Sequence, residues 1–307
     1  MSGPIPNFFI AGAPKAGTTA MWRYLSEHPD VFMTPLKEPH FFAADIDDPV
    51  VRGTALTLDW YLSLFDDAGD AKVIGEASVL YLFSKVAARG IRELSPDAKV
   101  LVMLRNPTDL VYAFHNQLIF SGQESEKDFE RAWRLNGRRA GSPLLDYGAV
   151  GKLGEQLERL LGVFDRGRVH AIVFDDFRAD PAGKYARLLE FLELPPDGRT
   201  AFPKVNASYR HRSELLRRLI EWLPSPTRLK RLLGIERIGF ADWLYWKNTT
   251  RYKRPPLSPA FRAEVCEFFS ADVALLSDLL ARDLAHWTSP GAGLEAEADD
   301  DAGPLVF

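Results

Sequence analysis

An α/β protein, with a central parallel sheet flanked by helices, is predicted by three features of the 307-residue sequence. Short apolar runs alternate with stretches of helical period. Each run stops at Gly, Pro or a charged residue, the signature of a buried parallel strand that feeds a helix. Hydrophobic residues make up 46% of the chain, enough for a true core. In order, the runs at 8–11, 72–75, 100–104 and 169–174 read as strands. The carboxyl ends of such strands open on one crevice, so the residues expected to carry chemistry follow them: 12–19, 76–78, 105–107 and 175–176. Farther along, Ser258 and Pro259 cap and open a long helix, with Phe261, Val265, Phe268, Leu276, Leu280 and Trp287 expected in the core.

Charge and cysteine content narrow the function. The 38 Lys and Arg against 42 Asp and Glu give a net charge of −4, which leaves no overall electrostatic footprint for nucleic acid. The lone cysteine, Cys266, excludes a disulfide framework within the chain and a cysteine-built metal site, and fits a reducing compartment. No apolar run approaches the length of a membrane span, and the first residues lack a secretion signal. A cytoplasmic location is the expectation. Charge is uneven, however: segment 210–254 holds twelve basic and four acidic residues, a net +8, with Trp222, Trp243, Tyr245 and Trp246 interleaved. It reads either as a solvated helical face or as a surface for an anionic acceptor or membrane. From Ser289 the composition turns to Gly, Ala and acids, which predicts a disordered acidic tail over 289–307.

The strongest local signal is FFIAGAPKAGTTAMWRYL, a strand, a loop with Gly12 and Gly17, and a helix opening at Thr18 and Thr19. Small loop residues let the amides of Ala16, Gly17, Thr18 and Thr19 close around an anion, and the helix N-terminus adds its own donors and positive dipole end. A nucleotide-kinase loop would place lysine directly after the second glycine. Here Thr18 stands there, and Lys15 sits inside the loop. The carboxylates Asp175 and Asp176 after the last strand mimic the Mg²⁺ aspartate of nucleoside-triphosphate enzymes, but a helix cap or loop pair is the plainer reading. No metal is expected.

PKAGTT followed by MWRYLSEHPDVF resembles the 5′-phosphosulfate loop of sulfotransferases that use 3′-phosphoadenosine 5′-phosphosulfate (PAPS). The similarity extends through KEPHFF at 37–42, GEAS at 75–78, LRNP at 104–107 and the closing ARDLAHW. Bacterial sulfotransferases and heparan sulfate sulfotransferase domains are the nearest kin it implies. The resemblance implies a P-loop-like three-layer fold over 1–288, with 210–254 as a basic helical insertion near the acceptor cleft. Lys15 then reaches the bridging oxygen of the donor, and Glu38 serves as catalytic base, with Lys37, His40 and Ser78 around the substrate. Arg105, with a basic loop containing Arg251, Lys253 and Arg254, binds the 3′-phosphate. A serine eight residues beyond the arginine usually helps; Ala113 stands there, and Tyr112 or Asn116 are possible substitutes. His40 and His115 are rival bases, Tyr147 is a second crevice group, and Asp109 is an alternative partner for Arg105. The activity implied is transfer of a sulfuryl group from PAPS to a hydroxyl or amine of a glycan, lipid or small metabolite. A non-catalytic PAP- or PAPS-binding protein and a P-loop nucleotide kinase are the alternatives.

Overall fold

The computed structural model describes residues 3–52, 57–139, 141–203, 209–211, 249–251 and 254–289. Five strands, β1 (Phe8–Gly12), β2 (Val31–Met33), β3 (Val73–Ala77), β4 (Lys99–Leu104) and β5 (Val169–Val173), form one parallel sheet in the order β2-β3-β1-β4-β5. Helices α1 (Thr18–Ser26), α2 (Pro49–Arg52), α3 (Leu58–Ser63), α4 (Ala87–Leu94), α5 (Pro107–Phe120), α6 (Phe129–Arg134), α7 (Tyr147–Gly151) and α8 (Leu153–Leu161) follow or separate the first four strands. Beyond β5 come α9 (Phe174–Ala179) and α10 (Pro181–Leu192), then a two-stranded antiparallel ribbon of β6 (Tyr209–His211) and β7 (Thr249–Arg251), and a long helix, α11 (Pro259–Leu280).

The central strand shows why this sheet forms. Phe8, Phe9, Ile10 and Ala11 are all 0% exposed; fully burying each large apolar side chain contributes about 1.5–3 kcal/mol. Phe8 is in register with Gly75 on one side and Lys99 on the other. The chain leaves β1 toward β2 and β3, then crosses back to β4 and β5. That reversal opens a crevice at the carboxyl end of β1, the place where open α/β sheets bind ligands.

Several expectations shift in detail. The strand expected at 72–75 runs Val73–Ala77, so Glu76 lies within it. The run expected at 169–174 ends at Val173, and Phe174 already begins α9. The three-residue β2 has no counterpart in the sequence reading. Helix α11 begins where expected, with the Ser258 side chain accepting from the Phe261 amide. Its core residue is Phe269 rather than Phe268, which is 50% exposed, and Trp287 is buried from a separate 3₁₀ turn, Ala285–Thr288. Cys266 is a buried free thiol. Most of 210–254, including Lys253, and the tail from 290 lie outside the described residues.

Candidate active site

The loop after β1 is built as an anion cradle. Gly17 caps α1 in the left-handed conformation, φ 89°, and a Cβ there would meet the rings of Phe174 and Phe177 at 3.2 Å. Only glycine makes this turn without strain. The first amides to bond back into the turn are those of Ala20 and Met21, both to the Gly17 carbonyl. Among the described hydrogen bonds, none uses the amides of Ala16, Gly17, Thr18 or Thr19, and no acidic residue occupies the first turn of α1. The cradle therefore offers four free donors at the positive end of a helix dipole. Lys15 rides on it, left-handed at φ 60°.

Arg105 reaches this loop from the end of β4. Its Nη1 donates to the Lys15 carbonyl oxygen at 2.9 Å, and its guanidinium lies 4.9 Å from the centroid of Phe174. The alternative pairing with Asp109 does not form, because Asp109 accepts from Arg262 Nη1 at 2.9 Å. Ala113 is buried in α5. Of the proposed substitutes for the missing serine, Asn116 turns its amide onto the Tyr112 carbonyl, and Tyr112 donates to the Pro255 carbonyl at 2.8 Å. Arg254 lies 5.7 Å from the Tyr112 ring centroid. These contacts dock the C-terminal basic loop on α5, while Arg251 sits in β7 opposite Tyr209.

Glu38 arrives from β2. Beyond that strand the chain continues alongside β3, with the Thr34 amide bonded to the Gly75 carbonyl and the Glu38 amide to the Ala77 carbonyl, both at 2.9 Å. The turn is tight, and both Glu38 (φ 63°) and His40 (φ 51°) are left-handed. Non-glycine residues hold that conformation only where surroundings enforce it. The Glu38 carboxylate is 30% exposed; Lys37 Nζ is ion-paired with its Oε1, and His40 Nε2 lies 3.6 Å from its Oε2. Burial pushes the carboxyl pKa up, but the His40 hydrogen bond and the Lys37 charge outweigh it and bring it down to about 2. His40 itself is buried, and Ser78 is wholly buried with its hydroxyl between Glu76 and the His40 amide. Both are held against the turn, His40 through its amide and Ser78 through its hydroxyl.

The remaining sequence candidates are taken up by the fold. His115 is buried between Phe129 and Tyr147, bonds through Nε2 to the Glu126 carbonyl, and is pushed down in pKa by burial. Tyr147 donates to Glu124 at 2.8 Å. Asp175 accepts from Trp287 Nε1, and Asp176 takes two bonds from Arg282 and one from Lys184. Asp176 is thus committed to two cations and Asp175 to an indole N–H, which fits the plainer structural reading of the pair. Among the described residues, no three His, Cys, Asp or Glu side chains converge into a metal-holding group.

Comparison with known proteins decides the family. The family profile described as "Sulfotransferase domain" matches residues 6–213. The chain belongs to the sulfotransferase family. Members of this family use PAPS as sulfuryl donor, and the free amides, Lys15 and Arg105 suit a nucleotide with two separate anionic groups, a phosphosulfate and a 3′-phosphate. A solved sulfotransferase from Alicyclobacillus acidocaldarius is 30% identical, with a TM-score of 0.72 over 93% of this chain and 100% of that one. Human heparan sulfate glucosamine 3-O-sulfotransferase 6 is 30% identical over 201 residues, 63% of this chain and 55% of that protein. Human bifunctional heparan sulfate N-deacetylase/N-sulfotransferase 2 is 26% identical over 205 residues, 62% of this chain and 22% of that protein. The chain thus spans about half the length of the 3-O-sulfotransferase relative it matches. Among the described residues, no helix is long and apolar enough to cross a membrane.

In the sequence, Glu76 is among the residues expected to carry chemistry and Phe174 stands at a strand end, but neither one's partners are visible there: the Phe174 ring lies against Arg105, and Glu76 accepts bonds from three hydroxyls. Each carried one signal: an aromatic at a strand end, and a carboxylate inside an otherwise apolar run.

Proposed function

We propose that this sulfotransferase moves the sulfuryl group of PAPS to a hydroxyl or amine of its acceptor, with Glu38 as base and Lys15 as the group that stabilises the departing phosphate. One observation carries the reading. The Glu38 amide is hydrogen-bonded to the last residue of β3 while Lys15 lies just past the neighbouring β1, so both residues follow the carboxyl ends of adjacent strands. The amides of residues 16–19 hold the 5′-phosphate; Lys15 meets the negative charge that grows on the bridging oxygen as the S–O bond breaks. The acceptor oxygen or nitrogen attacks sulfur, its proton passes to Glu38, and PAP leaves with the bridging oxygen. Arg105 and the loop of Arg251, Lys253 and Arg254 take the 3′-phosphate, Lys37 steadies the base or the donor, and His40 and Ser78 support the substrate side through the turn.

A glycan is the acceptor class that the names of the relatives support, through oxygen in the 3-O-sulfotransferase and through nitrogen in the N-sulfotransferase, with a lipid or small metabolite as the other outcomes of an acceptor screen. The net +8 of segment 210–254 supports an anionic acceptor or a membrane surface nearby. A cytoplasmic setting is supported by the single, unpaired cysteine. The test is Glu38→Gln with labelled PAPS and a panel of glycans, lipids and phenols, read by mass shift. The variant is expected to keep PAP binding and lose transfer by roughly 100-fold or more. Absence of any transfer in the unaltered protein, with PAP binding intact, would support a non-catalytic PAP-binding protein instead.

A further inference from the structure

Beneath the Glu38 turn lies a buried carboxylate that the proposed chemistry does not use. Glu76 is 0% exposed, and in β3 it is paired in register with Phe9 of the central strand. Three hydroxyls surround it. Tyr61 and Tyr81 each donate to its Oε1, and Ser78 donates to its Oε2, all at 2.7 Å. Burial raises its pKa, opposed by these three bonds, while both tyrosines are pushed well above their ordinary value and keep their protons.

Direction follows from stoichiometry. A hydroxyl has one hydrogen and two lone pairs. Because all three hydrogens point at Glu76, the same oxygens are left to act only as acceptors toward everything else. Two of them do so on the active-site turn: Ser78 Oγ accepts from the His40 amide at 3.0 Å, and Tyr81 Oη from the Phe42 amide at 3.5 Å. The third, Tyr61, lays its ring on Phe41 at 4.5 Å between centroids, nearly parallel. Every hydroxyl side chain that touches Glu76 thus also touches residues 40–42, immediately beyond the left-handed Glu38.

We infer that Glu76 is a positioning residue for the base: it orients the hydroxyls that clamp the backbone of residues 40–42, and so holds the Glu38 carboxylate at the crevice. The inference rests on Glu38 being the base. Glu76→Gln is nearly isosteric, but its amide must donate. At least one hydroxyl then accepts from residue 76 and turns its hydrogen away to a position with no partner, which shifts the oxygen and weakens its hold on the residue 40–42 segment. The clamp loosens without a change in volume.

The test compares wild type, Glu76→Gln, Tyr81→Phe and Glu38→Gln by three measurements: kcat at saturating PAPS and acceptor, PAP affinity by calorimetry, and hydrogen exchange of the peptide covering residues 38–42. Glu76→Gln is expected to lower kcat by roughly 10- to 100-fold, since small misplacements of a reacting group cost that much. PAP affinity should stay within about twofold, because the P-loop donors are untouched, and exchange at His40 and Phe42 should speed up while the sheet amides stay protected. Tyr81→Phe, which keeps the ring, should give the same pattern in smaller measure and serves if Glu76→Gln fails to fold. Unchanged kcat in both Glu76→Gln and Tyr81→Phe, or a parallel loss of PAP binding, overturns the inference. Full transfer by Glu38→Gln would instead overturn the base assignment, so the two failures are separable.

Discussion

Arg105 at the end of β4 donates to the carbonyl oxygen of Lys15 at 2.9 Å, across a sequence separation of 90 residues. One guanidinium thereby ties the anion loop to the strand on its far side, with the Phe174 ring against it. A guanidinium is a planar fork of donors whose geometry matches a phosphate.

Arg105→Lys keeps the charge and loses that fork. We expect PAP binding to weaken by about tenfold, with a much smaller effect on adenosine 5′-monophosphate, which lacks the 3′-phosphate. Calorimetry with both ligands checks this. Equal losses for the two would place Arg105 in loop support alone.

Ala113 stands where the sulfotransferase resemblance implies a serine hydroxyl for the 3′-phosphate. The methyl is buried on the inner face of α5, and one added hydrogen bond is worth on the order of 1 kcal/mol. Ala113→Ser is expected to tighten PAP by about fivefold, measured against the same monophosphate control.

The Lys37 and His40 contacts hold Glu38 at about 2. Because the folded pKa lies below the ordinary carboxylate value, the basic form is populated at all pH values above it. The pH profile of kcat/KM, which reports groups of the free enzyme, should show no acid limb from Glu38 between about pH 4 and 7. Lys37→Met removes the neighbouring ammonium, so the Glu38 pKa rises and an acid limb enters that window.

Asp176 is a structural carboxylate. Bonds from Arg282, opposed by burial and joined by Lys184, bring its pKa down to about 2. A depressed folded value stabilises the native state above the unfolded pKa, and that contribution is lost as pH falls from about 4 through about 2. Asp176→Asn is expected to cost about 2 kcal/mol at pH 7 by urea unfolding, a difference that narrows toward pH 2–3. Transfer by this variant, measured with a chelator present, should persist; loss of a metal-dependent activity would revive the kinase role for this pair.

Much of this was legible in the residues. β1, β4 and β5 are continuous apolar runs, and the loop with Lys15 between Pro14 and Gly17 stands out by its small residues. β2 was not legible, because three residues carry no period. Glu76 reads as the first residue beyond a strand, since a carboxylate after an apolar run ordinarily marks its end, whereas it lies inside β3. Its hydroxyl partners include Tyr61, 15 residues upstream on a separate helix, and no local pattern shows that the charge is satisfied. The Asp176–Arg282 pair spans 106 residues and was hidden for the same reason. Adjacent Phe268 and Phe269 leave the phase of α11 ambiguous by one residue: both rings lie against Trp133, and it is burial of Phe269 over Gly151 that settles the second.

The proposed function requires the loop carrying Lys15 to cradle a 3′-phosphorylated adenosine phosphosulfate. Calorimetric titration of PAP and of ATP into the full chain, with a chelator in the buffer, tests it most directly. PAP should bind at least about tenfold more tightly than ATP. Tighter binding of ATP, or binding of either nucleotide only after Mg²⁺ is restored, would contradict the claim.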